Sequence, residues 1–103
     1  TYPPFVRVIK ITLKSRDVRD LERDALQLSN LLRSVLGAKR VLGPEEPPVS
    51  KIRNLYIREI YLKFERQGIK PAAFKEKILE SIESFEKSQQ APNLRIILDV
   101  DPV

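Results

Sequence analysis

The chain changes its hydrophobic period partway along and then repeats the change, and few folds accept that pattern. Residues 5–14 alternate, with Phe5, Ile9, Ile11 and Leu13 on one side and Lys10, Thr12 and Lys14 on the other. A period of two is the mark of a half-buried strand. From residue 16 the period lengthens. Val18, Leu21, Ala25, Leu28, Leu32 and Val35 then fall on one stripe of a helix of about six turns across residues 16–37. Ser15 is placed to cap that helix, Asp17 and Asp20 suit its positive first turn, and Gly37 can close it.

The second half repeats the first with an extra strand. Residues 38–42 read as a short strand ending at Gly43-Pro44, and Glu45-Glu46-Pro47-Pro48 reads as a loop, because proline donates nothing to a ladder. Residues 52–65 read as one long strand with Tyr56, Ile60, Leu62 and Phe64 facing inward. Gly68 and Pro71 bound a turn, and Pro71 suits the first position of a second helix, whose stripe is Phe74, Ile78, Ile82 and Phe85. Residues 94–100 form the last strand, burying Leu94, Ile96, Leu98 and Val100.

The order β-α-β-β-α-β with right-handed crossovers predicts an α+β, ferredoxin-like sandwich: a four-stranded sheet with two helices on one face. The 103 residues make a single domain, large enough for a core of its own. With 42% hydrophobic and 32% charged residues, the composition suits a globular domain and argues against a disordered tail. No apolar run exceeds about four residues, too short for a membrane-spanning helix. Cysteine and histidine are both absent, which removes disulfides, the usual zinc ligands and the commonest general base. Methionine is absent too, as expected of a domain excised from a longer chain.

The net charge of +5 points to nucleic acid, an anionic surface or an acidic peptide as partner. In the expected topology the first and third strands are central, and alternation puts Lys10, Thr12, Lys14, Ile57, Glu59, Tyr61 and Lys63 on the helix-free face. Arg95, Ile97, Asp99 and Asp101 join them from the last strand. Lysines there can hold phosphates while Tyr61 stacks a base. Ile57 and Ile97 instead favour packing of this face on a neighbouring domain. Two basic groups stand out: Lys63, Arg66, Lys70, Lys75 and Lys77 around the start of the second helix, and Arg40, Lys51 and Arg53 near the loop. Either meets phosphate or an acidic tail, or is an ordinary solvated surface. Asp99 and Asp101 share a face near Glu59 but have no nucleophile or histidine beside them, so they are read as ion-pair partners for lysines rather than a catalytic or metal site. Gly43-Pro44-Glu45-Glu46 lacks the Lys and Ser/Thr of a phosphate-binding loop. Arg58 sits on an inner face and needs a partner or a route to solvent.

Four separated motifs, Tyr2-Pro3-Pro4-Phe5, Gly43-Pro44, Tyr56-Ile57-Arg58 and Asp99-Val100-Asp101-Pro102, keep one order and spacing across nearly the whole chain. In these the chain resembles the C-terminal domain of primosomal protein N′, the PriA family of bacterial replication-restart helicases. The resemblance implies an accessory domain of an ATP-dependent 3′→5′ helicase that acts at stalled forks in primosome assembly, in the bacterial cytoplasm with the nucleoid. Its ATPase motifs and zinc-binding insertion, and hence ATP, magnesium and zinc, belong upstream. The fragment itself is therefore expected to be no enzyme and to hold no cofactor. Implied partners are branched or single-stranded DNA, the acidic, Phe-ending tail of single-stranded DNA-binding protein, and the remaining helicase domains. Arg66, Lys70 and Lys75 lie where the family has a basic residue for that tail. Arg58 matches a family-typical arginine, expected at a domain edge or DNA junction, or holding loop carbonyls. The candidate binding residues are therefore Arg58, Lys63, Arg66, Lys70, Lys75, Lys10, Lys14 and Tyr61. The alternative function is a purely structural module docked on the helicase core.

Overall fold

The computed structural model describes residues 6–65, 70–88 and 94–100. The expectations for Tyr2-Pro3-Pro4-Phe5, Arg66, Gly68 and Asp101-Pro102 lie outside the described residues. Alternation delivers the first strand, β1 (Val6–Ser15), with Ile9, Ile11 and Leu13 fully buried. The helical stripe then forms α1 (Val18–Leu36). Its cap is Asp17 rather than Ser15: the Asp17 carboxylate accepts from the backbone N–H of Arg19 (2.9 Å) and Asp20 (3.1 Å). Ser15 acts one step earlier, its hydroxyl oxygen accepting from Asp17 N–H at 3.2 Å. At the far end the stripe closes on Leu36, not Val35, which stays 42% exposed. The turn into Gly37 lets the last buried position slip by one residue.

The segment expected as a strand over 38–42 is instead a single 3-10 turn (Ala38–Arg40) followed by β2 (Val41–Glu45). The strand runs through Gly43-Pro44 rather than stopping there. Proline is tolerated because β2 is an edge strand, and the register shifts between Leu42 and Glu45. The Gly43–Pro44 peptide is cis. The expected long strand over 52–65 is a hairpin: β3 (Lys51–Ile52) turns at Arg53-Asn54 into β4 (Leu55–Glu65). Arg53 and Asn54 take φ of 51° and 67°, the left-handed pair that a two-residue hairpin turn requires. α2 (Pro71–Ser88) and β5 (Arg95–Val100) complete the chain.

The sheet order is β2-β4-β1-β5, with β3 added on β4, so it has five strands instead of four. β1 and β4 are central and antiparallel, paired from Val6↔Glu65 to Ser15↔Tyr56, and β5 pairs β1 from Ile9↔Val100 to Lys14↔Arg95. This is the ferredoxin-like arrangement expected from the periodicity, with a short extra strand. One core holds it together: Leu21, Leu28 and Leu32 of α1 and Phe74, Ile78 and Phe85 of α2 pack with Ile11, Ile60 and Leu62 of the sheet. Each such side chain contributes roughly 1.5–3 kcal/mol on burial. β5 is the thinnest layer, since Leu94, Ile96 and Leu98 are only partly covered and Val100 is exposed, contrary to expectation. As an edge strand it has a neighbour on one side only.

Candidate nucleic-acid interface

The register fixes the helix-free face. Lys10 lies between Tyr61 of β4 and Asp99 of β5, Thr12 between Glu59 and Ile97, and Lys14 between Ile57 and Arg95. Two of these positions are already engaged by one carboxylate. Glu59 accepts from the Tyr61 hydroxyl at 3.2 Å and forms an ion pair with the Lys10 ammonium at 3.6 Å. The lysine partner is thus Glu59, where the sequence suggested the aspartates of the last strand. Burial, followed by the charge and hydrogen bond of Glu59 and then the charge of Glu45, pushes the Tyr61 phenol above its ordinary value. Tyr61 is therefore a fixed neutral donor beside two carboxylates, a poor setting for a phosphate. Lys14 is half-buried. Ile57 is 6% exposed and stands outside the main core cluster, its backbone N–H donating to Ser50 O at 2.8 Å. The expectation that it is available on this face to pack on a neighbouring domain does not hold, because β3 and the segment leading to it return beside the start of β4.

Arg58 is on the helix side and 9% exposed. Its guanidinium donates to Glu22 Oε1 of α1 at 2.9 Å and to Ile57 O at 2.8 Å. A buried guanidinium so paired clamps β4 to α1. Removing Glu22 would leave it uncompensated. The loop-carbonyl role suggested for Arg58 is performed by Arg33, whose Nη2 donates to Gly43 O while its Nη1 reaches Ser29 Oγ (3.3 Å) and Asn30 Oδ1 (3.2 Å). Sequence reasoning missed Arg33, since a single arginine on the flank of a helix carries no distinguishing pattern. It also missed Asp24 of α1, which is buried with Oδ1 beside Arg23 Nε at 3.3 Å and Oδ2 without a partner among the described residues.

The remaining cations divide by position along β4. Lys63 is exposed near the end of that strand, and Lys70 and Lys75 are exposed at the start of α2. A ring stack joins the two regions: Phe64 and Phe74 lie 4.3 Å apart at 21°. The second basic group is split. Arg40 immediately precedes Val41, which pairs with Leu62, whereas Lys51 pairs with Tyr56. Six residues of strand separate those levels, about 20 Å. Lys51 sits 4.9 Å over the Tyr56 ring, and Arg53 forms the hairpin turn. Among the described residues no three His, Cys, Asp or Glu side chains gather to hold a metal ion. The chain's lack of His and Cys does not fit a zinc site either.

These features define a ferredoxin-like α+β domain with exposed cations where the end of β4 meets the start of α2. The chain belongs to the primosomal protein N C-terminal domain family, whose model matches residues 1–103. It is 24% identical over 103 residues to the replication restart protein PriA of Bacillus subtilis (strain 168), a match that takes in 99% of this chain. The chain spans only 12% of the length of that relative. Among solved structures it resembles the de novo designed protein Foldit4, with a TM-score of 0.59 over 95% of this chain and 98% of the other. At 12% identity, that likeness shows the fold alone.

Proposed function

We propose that the domain is a DNA- and partner-binding accessory module of a larger PriA-like 3′→5′ helicase, which restarts replication at stalled forks during primosome assembly in the bacterial cytoplasm. One observation carries the reading. Lys63, Lys70 and Lys75 stand exposed where the end of β4 meets the start of α2, and none forms an ion pair with a described residue. Cations that neutralise a polyanion displace its condensed counterions, and that release drives sequence-independent DNA binding. Lys10 and Tyr61 are engaged by Glu59, so the grip belongs to this end of the domain rather than to the open sheet. The same cations suit the acidic, Phe-ending tail of single-stranded DNA-binding protein as an alternative ligand. ATP, magnesium and zinc belong to other parts of the longer protein.

The test is binding of forked DNA to the 103-residue chain across a salt series. Affinity is expected to fall steeply as salt rises. Binding that ignores salt, or none at low salt, removes direct DNA contact from the account.

A second reading, docking on the helicase core without DNA contact, is favoured by Ile97 and Leu42, which are large, apolar and exposed on the helix-free side.

A further inference from the structure

The fold brings together cations that the sequence scatters over three segments. A cavity of about 500 Å³ opens between the turn after α1 and the end of β4, and Lys39, Arg40 and Lys63 line it with Leu36, Phe64 and Glu65. A second, smaller recess of about 70 Å³ lies against it, lined by Arg40 and Leu36 again and by Phe74 and Lys77 of α2. Arg40 is common to both. Its Nη1 is anchored on Leu36 O at 3.0 Å, which holds the guanidinium at the junction. Arg40 therefore links Lys39 and Lys63 on the larger cavity to Lys77 on the smaller recess, and the four cations share one end of the domain. Lys39, Lys63 and Lys77 are exposed, and none is ion-paired to a described residue.

We propose that this group of cations is a track for the sugar-phosphate backbone of single-stranded DNA, with the larger cavity receiving an unstacked nucleotide. The inference rests on the DNA-binding function proposed above and locates it. A group of several cations matches a chain of phosphates better than it matches one carboxylate. The larger cavity falls within the roughly 300–1,000 Å³ of ordinary ligand pockets, room enough for one base. A duplex keeps its bases stacked and cannot enter such a recess. Among the described residues Glu65 is the one carboxylate on the cavity wall, and it opposes the anion.

The experiment measures the affinity of the 103-residue chain for a fluorescent oligo-dT over a series of salt concentrations. The triple variant Lys39→Gln, Lys63→Gln, Lys77→Gln is expected to lower the slope of log affinity against log salt by about 2, since each phosphate contact on a single strand contributes roughly 0.7. Lys51→Gln with Arg53→Gln, at the other end of β4, should leave the slope unchanged. Glu65→Gln should tighten binding a few fold. A triple variant that keeps the parental slope overturns the track while leaving the DNA-binding function standing. So does one that loses only an acidic, Phe-ending peptide. Tighter binding of a duplex of equal length rejects the single-strand assignment. If the unaltered chain binds no DNA at low salt, the proposed function falls and the track falls with it.

Discussion

Gly43 is held by two constraints at once. Its φ is +106°, and a Cβ built there would lie 2.8 Å from Glu59 O and 3.1 Å from Glu45 N, both backbone atoms that cannot swing aside. Its carbonyl meanwhile receives Arg33. Gly43→Ala is therefore expected to cost at least about 1–3 kcal/mol from backbone strain alone, with the close contacts adding to it. Urea unfolding checks this, and an unchanged midpoint would show that β2 yields easily. The identity of the glycine was legible in the sequence, but its reason was not. A Gly-Pro pair reads as the end of a strand, because nothing local says that the strand lies at an edge where proline costs no ladder bond. Asp24, Arg33 and Ile57 were hidden for a related reason. Periodicity reports which way a residue faces, not what the rest of the chain brings to meet it. The stripe residues Leu21, Ala25, Leu28 and Leu32 were plain from sequence since their burial follows from helix geometry alone.

At the scale of elements, long amphipathic segments were readable and short irregular ones were not. β1, α1 and α2 each bury a whole face, and a run of several turns or alternations outvotes any single residue. β3 has only two residues, both exposed, and its turn depends on two left-handed residues of which just one, Asn54, belongs to the usual turn formers. No sequence signal separates such a hairpin from a continuous strand. The start of α1 shows how narrowly a boundary can be missed. Ser15 and Asp17 both have capping side chains, yet Ser15 still belongs to β1, whereas Asp17, with φ −106° and ψ 116°, immediately precedes the helix, where its carboxylate meets the first free N–H groups. Asp17→Ala should remove both bonds and cost about 1 kcal/mol, which lowers the thermal midpoint of a domain this size by roughly 4–8 °C. Asp17→Asn should retain most of that stability. Equal losses for Ala and Asn would shift the explanation from hydrogen bonding to charge at the helix terminus.

For the molecule as a whole, the two sides of the sheet have different fates. One is sealed under α1 and α2. The other carries Ile97, 46% exposed, at the edge-strand end of a row that also contains Thr12 and Glu59. In the isolated chain a charge at this position is tolerated, because the side chain is about half exposed and lies on an edge strand. Ile97→Asp is expected to cost on the order of 1 kcal/mol, mainly because aspartate is a poor strand former. The outcome should differ in a longer protein that covers this face. There the aspartate would lose its hydration against apolar surface, and the separately expressed domain should bind the remainder of that protein at least tenfold more weakly, about 1.4 kcal/mol. Calorimetric titration of the two pieces measures it, with Lys63→Gln as the companion variant at the cationic end. If Ile97→Asp weakens docking and spares DNA while Lys63→Gln does the reverse, the domain has two independent working surfaces. If Ile97→Asp leaves docking intact, the open face is merely solvated, and the domain engages its surroundings through the charged end alone.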